Sequence, residues 1–160
     1  MILRRLLGGR RDAGRPLTQG ERAIAAGMFG TSLDASAVRV HHARWFAFQP
    51  RRTVMAPDGH IWFVPGDGLW RKDFANADRS LQRLLVHELT HCWQHQRGLY
   101  LPIRRHPFCR YDYAIRPGRP LTRYGIEQQA MIVEHAFSAR MAGKPDPVLE
   151  RLLMDAGIGV

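Results

Sequence analysis

Apolar residues recur at helical spacing after residue 78, and this pattern predicts the main helix of the chain. Asp78 or Ser80 can cap its N-terminus, and Arg97-Gly98 supplies residues that typically end a helix. One carboxylate, Glu88, falls within the apolar stripe when residues are placed at helical intervals. A buried carboxylate costs free energy unless it has a partner, so the pattern assigns Glu88 a specific role. The stripe itself comprises Leu81, Leu84, Leu85, Leu89, Cys92 and Trp93.

A second helical pattern extends from about residue 124 to residue 142. Thr122 is its predicted cap, and Gly143 followed by Pro145 predicts its end. The apolar stripe of this segment predicts that the helix packs against another element. That stripe comprises Ile126, Ala130, Val133, Phe137 and Met141.

Capping and turn residues predict the smaller elements. Thr18 and Glu21 form a capping-box pattern ahead of a helix that ends near Gly30. The Pro-Asp-Gly sequence at 57–59 predicts a turn, with a hairpin around it. Strands are predicted within 33–48, at 53–55 and at 60–64, and a last short helix at 147–155.

Together these elements predict a single α+β domain. At 160 residues the chain is long enough to bury a core in one domain, which we assign to residues 17–160. Residues 1–16 are basic and contain glycine, and we expect them to form a mobile tail. We expect a small, mainly antiparallel sheet beside the two long helices.

The apolar runs and the cysteines bear on the compartment. No run approaches the roughly 20 apolar residues that cross a membrane, so no membrane partner is expected. The N-terminus lacks the continuous apolar segment of a secretory signal, which predicts a protein made in the cytoplasm with reduced thiols. Export by a specialised machine would leave no such mark. Cys92 is predicted to lie in the core, and a disulfide with Cys109 stays open.

The net charge of +10 raises the possibility of a nucleic-acid partner. The arginines are spread over predicted loops and chain ends, and neither long helix carries a continuous basic stripe. No zinc-finger, helix-turn-helix or RNA-recognition pattern is present. Nucleic-acid binding is therefore the less favoured hypothesis, and a basic surface that docks acidic partners is favoured.

The sequence LLVHELTHCWQHQ places an H-E-x-x-H pattern on the main helix. His87 and His91 are four residues apart and share a helix face, so both imidazoles can bind one metal ion. Random placement of the chain's 8 histidines and its glutamates gives about 0.01 such matches, so chance does not account for the pattern. The pattern predicts zinc, with Glu88 acting as general base on a water molecule.

A catalytic zinc ion needs a third protein ligand, and several candidates can be compared. The metzincin extension is excluded because Gln94 and Arg97 stand where Gly and His are required. His95 lies one turn beyond His91, and three ligands in consecutive turns of a straight helix diverge. Glu127, at the start of the second helix, is favoured as the ligand. Glu134, two turns on, is the alternative, either as ligand or as acceptor for a histidine N–H.

Oxyanion stabilisation requires a further donor, and the segment between the two helices offers several. At about 20 residues this connection exceeds the usual length, which is typical of functional loops. We take Tyr113 and Tyr124 as the primary candidates, with Tyr111 and His106 as alternatives. A fourth protein ligand in place of water would instead indicate a non-catalytic zinc site, for which the candidates are Cys109, His106 and Asp112.

The H-E-L-T-H motif followed by a helix-borne glutamate resembles the gluzincin, or thermolysin-like, branch of zinc peptidases. The fuller set of segments resembles small bacterial zincin-like proteins described as Vgr-related or Rhs-associated and linked to type VI secretion. The resemblance covers about residues 17–140 and rests on LTQGERAIAAGMFG, LDASAVRVHH, GHIWFVPG, LLVHELTHCWQHQ and YGIEQQAMIVEH.

The resemblance implies a zincin-like fold, zinc at His87, His91 and Glu127, and Glu88 as the base of a metallopeptidase. It also implies a peptide or protein substrate and secretion-system components as partners. The second helix departs from the thermolysin-like N-E-x-x-S-D pattern, because Ile126 replaces the Asn and no Asp lies four residues after Glu127. Glu134 or Gln128 would have to replace that Asp. A zinc-binding interaction module without catalysis is the competing hypothesis.

Overall fold

The computed structural model describes residues 12–99 and 110–159, which form an α+β fold. In these ranges the helices are α1 (Gln19–Phe29), α2 (Arg79–Gln96), α3 (Ile126–Met141) and α4 (Pro147–Asp155). The strands are β1 (Arg15–Pro16), β2 (Arg39–His41) and β3 (Ile61–Trp62). Short 3₁₀ turns at Ala35–Ala37, Phe74–Asn76 and Leu121–Arg123 connect them.

The sheet is mixed, which corrects the expectation of a mainly antiparallel sheet. Its order is β1-β2-β3, with β2 antiparallel to β1 and parallel to β3. The predicted hairpin around residues 57–59 is reduced to one antiparallel bridge between Met55 and Trp62. The sequence pattern predicted the turn correctly. Across the turn, however, Met55 and Trp62 are the one residue pair whose backbones hydrogen-bond in the described chain.

The strands are shorter than predicted because side chains satisfy the backbone beside them. Asp34 accepts a hydrogen bond from the Ser36 N–H and starts a 3₁₀ turn, so the strand predicted within 33–48 begins only at Arg39, as β2. Beyond β2, the Gln49 side chain accepts from the Trp45 N–H and donates to the Thr53 carbonyl. These bonds replace a strand ladder within residues 42–53.

Helix α1 confirms the predicted capping box. The Thr18 hydroxyl accepts from the Glu21 N–H, and the Glu21 carboxylate accepts from the Thr18 N–H. Arg15 donates two hydrogen bonds to the fully buried Glu21 carboxylate. Residues 12–16 were assigned to the mobile tail, yet Arg15 and Pro16 form β1, because this ion pair and the pairing with β2 hold them. Residues 1–11 of that tail lie outside the described ranges.

Helices α2 and α3 pack against each other and carry most of the predicted core. Asp78 caps α2 by accepting from the Leu81 N–H, and Cys92 lies in the core as a free thiol. Two expectations for α3 are wrong. Thr122 lies in the preceding 3₁₀ turn and Gly125 occupies the cap position, while Met141 is 44% exposed because α3 extends past the core at its end.

In the described part of the chain, no helix combines the length and the apolar character needed to cross a membrane. Cys109 and His106, which the sequence offered as ligands or donors, lie outside the described residues.

Candidate metal centre

Three predicted ligands meet at the contact between α2 and α3. His87 and His91 lie one turn apart on α2, and Glu127 lies in the first turn of α3. Glu127 Oε2 is 3.2 Å from Nε2 of His87 and 3.2 Å from Nε2 of His91. The ligand atoms of the three residues lie within 4.8 Å of one another, and all three side chains are buried. The structure therefore assembles the predicted donor set from two separate helices.

The Nδ1 atoms of both histidines, here called the outer nitrogens, form hydrogen bonds to other side chains. These hydrogen bonds orient the two rings. His87 Nδ1 is 3.2 Å from Glu134 Oε2, and His91 Nδ1 is 2.8 Å from Gln94 Oε1. Both partners are acceptor oxygens, so each Nδ1 donates a proton. Each Nε2 is then the nitrogen whose lone pair can face a metal ion. This is the histidine arrangement that a metal site requires.

The His87 imidazole has a raised pKa in the metal-free protein. Burial lowers its pKa, but hydrogen bonds to Glu127 and Glu134 and the charge of Glu88 outweigh burial and raise the pKa to about 10. A group that is stabilised as a cation by two carboxylates can exchange its Nε2 proton for a metal cation at the same place. The electrostatics of the pocket therefore favour a positive charge between the three ligand residues.

The Glu134 carboxylate contacts Arg83 as well as His87. Its Oε1 accepts from Arg83, at 3.0 Å from Nε and 2.7 Å from a terminal nitrogen. Burial raises the pKa of Glu134, but the bonds from His87 and Arg83 outweigh it and lower the pKa. Glu134 therefore stays ionised and fills the acceptor role that the sequence left open between Glu134 and Gln128. The Gln128 side chain instead accepts a hydrogen bond from the Gly125 N–H and donates one to the Asp112 carbonyl.

Gln94 is a site residue that the sequence pattern did not identify. Its identity served there only to exclude the metzincin subclass. It is fully buried and bonds His91 through its carbonyl oxygen. Its amide nitrogen donates to the Ile126 carbonyl and to Gln129 Oε1, so Gln94 ties α2 to the start of α3. A polar residue three positions after a ligand histidine, on a helix that is otherwise buried, was the available signal.

Glu88 lies beside the ligand group, as the H-E-x-x-H pattern predicts. It is 2% exposed, and in the described ranges its Oε2 atom has no hydrogen-bond partner. Such an oxygen is costly in a folded protein unless a water or substrate group binds it. Glu88 and His87 both line a pocket of about 570 Å³ that opens to the surface. The remaining wall includes Arg52, Thr53, Val54, Leu69, Ser80, Arg83, Leu84, Tyr111, Met131 and Glu134.

Tyr111, rather than either primary tyrosine candidate, lines this pocket. Its ring lies 6.4 Å from the His87 ring, nearly parallel to it, and the residue is 48% exposed. The Tyr113 hydroxyl is 2.6 Å from His135 Nδ1, and the Tyr124 hydroxyl accepts from the Arg116 N–H. Burial raises the pKa of Tyr113, assisted by Asp146. Both hydroxyls thus have other partners, and neither residue lines the pocket.

Two other ligand candidates lie apart from the donor set. Asp112 pairs with Arg110 on the surface, where both side chains are 76% exposed. The His95 ring lies against Gly59, whose φ of +82° belongs to the predicted turn; a Cβ atom there would be 2.6 Å from the ring. His95 therefore serves packing at the turn.

The residues present fit a divalent transition metal. Two imidazole nitrogens and one carboxylate oxygen are the donors of a three-ligand catalytic zinc site, and the adjoining pocket gives access for a fourth ligand. The tautomers, the buried donors and the charge of the pocket all agree with this assignment.

Comparisons with known proteins find a relative in a bacterial secretion system. It is 40% identical over 147 residues to the type VI secretion system spike protein VgrG2b of Pseudomonas aeruginosa. That alignment covers 83% of this chain but 14% of the spike protein, so the chain corresponds to a small part of that relative. No protein-family model matches the sequence.

A solved structure, the effector domain of Pseudomonas aeruginosa VgrG2b, has a similar fold. It superposes with a TM-score of 0.79 at 35% sequence identity, over 97% of this chain and 89% of the domain.

Proposed function

Because the chain belongs to the family of the VgrG2b effector domain, we propose that it is a zinc-dependent metallopeptidase of a bacterial type VI secretion system. One observation carries the proposal: the buried Glu88 carboxylate adjoins a His-His-Glu donor set and lines an open pocket. A purely structural zinc site has no use for such a base. On this proposal the fold is zincin-like, with α2 as its active-site helix.

Zinc would be held by Nε2 of His87, Nε2 of His91 and the carboxylate of Glu127. Bound there, it would lower the pKa of a water ligand towards neutrality and polarise the scissile carbonyl. Glu134 and Gln94 hold the two rings with Nε2 directed at Glu127. This second layer takes the place of the Asp that the thermolysin-like pattern would supply.

Glu88 removes a proton from the attacking water and later delivers it to the leaving amine. Its Oε2 has no hydrogen-bond partner in the described part of the chain, so it is available to accept that proton. Tyr111 replaces Tyr113 and Tyr124 as our candidate for the donor to the oxyanion, because it alone of the three lines the pocket.

The proposed substrate is a peptide or protein, which the enzyme reaches after it has been exported from the cell. We propose that the protein is made in the cytoplasm and leaves the cell with VgrG or Rhs components of the secretion apparatus. The likeness to an effector domain that is part of a spike protein supports this route.

Replacement of Glu88 tests the catalytic role. Wild type, Glu88→Gln and the matched control Glu150→Gln are stripped of metal and reloaded with zinc. Each is then incubated with a mixed peptide library, and the products are identified by mass spectrometry. We expect Glu88→Gln to bind zinc normally but to cleave at least ~100-fold more slowly, while Glu150→Gln, whose carboxylate pairs with Arg140 on another surface, cleaves normally.

Two outcomes would contradict the proposal in different ways. Zinc binding with background cleavage by all three proteins would indicate a non-catalytic zinc module. Absence of zinc binding by wild type would remove both zinc hypotheses.

A further inference from the structure

The segment of residues 42–52, here called the aromatic loop, exposes apolar side chains and ends at a residue of the pocket wall, Arg52. Phe48 is 89% exposed and Phe46 is 41% exposed, whereas most large apolar residues of the described chain are buried. The loop also carries Arg44, Arg51 and Arg52, and no Asp or Glu occurs between residues 42 and 57. It therefore combines apolar and cationic character and carries no acidic residue of its own.

The loop is held in shape from inside. Gln49 is 2% exposed and its side chain bonds the Trp45 N–H and the carbonyls of Thr53 and Trp62. Arg44 Nε donates to the Gln49 carbonyl, which closes the turn. Phe48 is thus presented to solvent by a braced backbone. Such pre-organisation reduces the entropy that binding would cost.

Arg52 links the aromatic loop to the pocket. It has φ of +59°, and it is the residue other than glycine for which the described chain adopts a left-handed backbone. Such backbone strain persists only where the surroundings require it, often at ligand-binding positions. Arg52 lines the pocket with Thr53 and Val54, and within residues 12–99 and 110–159 its guanidinium has no ion-pair partner. The other arginine in the wall, Arg83, is paired with Glu134.

We propose that the aromatic loop is a substrate-docking surface for an acidic polypeptide segment that also carries apolar side chains. The apolar side chains contact Phe46 and Phe48, and an acidic side chain pairs with Arg52 where the segment enters the pocket. The inference rests on the metallopeptidase function proposed above and specifies its substrate class. The net charge of +10 would speed encounter with such a substrate.

Continuity with the pocket favours a polypeptide over a lipid surface as the occupant. The loop leads from Phe48 along the chain into the wall residues 52–54, which face the same space as His87 and Glu88. A substrate chain bound along it would arrive at the proposed reaction centre. A flat membrane would contact the exposed tip but would not extend into the pocket.

Binding to the zinc-loaded Glu88→Gln variant tests the proposal without turnover. The probes are two fluorescent peptides with identical apolar residues, one with glutamates and the other with lysines at the same positions. We expect the acidic peptide to bind about tenfold more tightly by fluorescence anisotropy, and the preference to shrink as salt is raised. Adding Arg52→Glu should remove most of the preference, and adding Phe48→Ser should weaken binding of both peptides.

Arg116→Glu is the matched control, because it makes the same charge change at an exposed arginine in a different surface depression. It should leave the preference nearly unchanged. If Arg52→Glu does not fold, Arg52→Gly removes the guanidinium and suits the left-handed backbone, and it should also lose the preference. Equal affinity for the two peptides, or equal losses in Arg116→Glu and Arg52→Glu, would overturn the proposal.

Vesicles of phosphatidylglycerol and of phosphatidylcholine complete the experiment. Binding to phosphatidylglycerol vesicles that Phe48→Ser abolishes, without discrimination between the peptides, would overturn the proposal in favour of a membrane surface. Failure of the metallopeptidase function has a different signature: wild type cleaves neither peptide, while Glu88→Gln still binds the acidic one. Cleavage of both peptides at equal rates would contradict the docking surface alone.

Discussion

His87 and His91 each use both ring nitrogens, and the partners of the outer nitrogens decide how well the inner ones can bind a metal. The Glu134 carboxylate fixes His87, and the Gln94 amide fixes His91. A charged acceptor raises the basicity of the ring more than a neutral one does. The two histidines, which look equivalent in the motif, are therefore supported differently.

Substituting Glu134→Gln should weaken zinc binding by about 10- to 100-fold, because His87 loses its charged acceptor while the side-chain shape is kept. Competition with a chromophoric chelator measures the dissociation constant. Glu150→Gln, the same change in the half-buried pair with Arg140 away from the metal ligands, should leave it unaltered. Equal zinc affinity in Glu134→Gln and wild type would show that the Glu134 contact does not support the ligand.

Tyr111 and Tyr113 are two residues apart and offer a matched pair of hydroxyl deletions. Tyr111→Phe should lower kcat by about 10- to 100-fold with little change in KM, because an oxyanion donor acts in the transition state. Tyr113→Phe removes only the contact to His135 and should cleave at nearly the wild-type rate. Steady-state kinetics on one library-derived peptide separates the two. The reverse pattern would restore Tyr113 as the donor.

At the scale of single elements, polar side chains decide where helices and strands begin and end. Thr18 caps α1 and also donates to Asp73, so one hydroxyl joins the helix start to the 3₁₀ turn before α2. Residues 42–48 belong to the aromatic-rich part of the strand predicted within 33–48, but Gln49 hydrogen-bonds the Trp45 N–H and the Thr53 carbonyl and holds this segment in a turn. Composition predicted the strand, and a single buried amide prevented it.

Thr18→Ala should lower the free energy of unfolding by roughly 1 kcal/mol, the usual cost of losing an N-cap side chain. Thr122→Ala is its control, because Thr122 has the sequence position of a cap for α3 but lies in a 3₁₀ turn. Urea denaturation monitored by circular dichroism measures both. A loss at Thr122 as large as that at Thr18 would mean that Thr122 stabilises the start of α3 after all.

At the scale of the whole molecule, the metal would act as a crosslink. His87 and His91 belong to α2 and Glu127 belongs to α3, so one bound ion joins the two helices that form the centre of the core. A ligand that binds only the folded state stabilises it in proportion to the logarithm of its concentration. The pairing of α2 with α3 and metal binding should therefore be thermodynamically linked.

Zinc at 100 times its dissociation constant should stabilise the protein by about 2.7 kcal/mol, seen as a rise in Tm that a chelator reverses. His91→Ala should show no zinc-dependent rise. Ligand nitrogens must lose their protons to bind metal, so the rise should shrink as the pH is lowered. A Tm that is independent of zinc in wild type would argue against a metal bound at this site.

The sequence by itself determined the local features of this protein. It predicted α2 and α4, the capping box of α1, the α+β class and the shared helix face of His87 and His91, because helical spacing and capping act within a few residues of chain. Glu127 was the favoured third ligand, and the packing of α3 on α2 brings it to the two histidines. The structure decided what depends on residues far apart: the parallel pairing of β2 with β3, the bonds of Gln94 and Glu134 to the ligands, the position of Tyr111 and the union of the aromatic loop with the pocket. These features arise from the packing of α2 on α3 and of loops on both, and no short-range pattern encodes that packing.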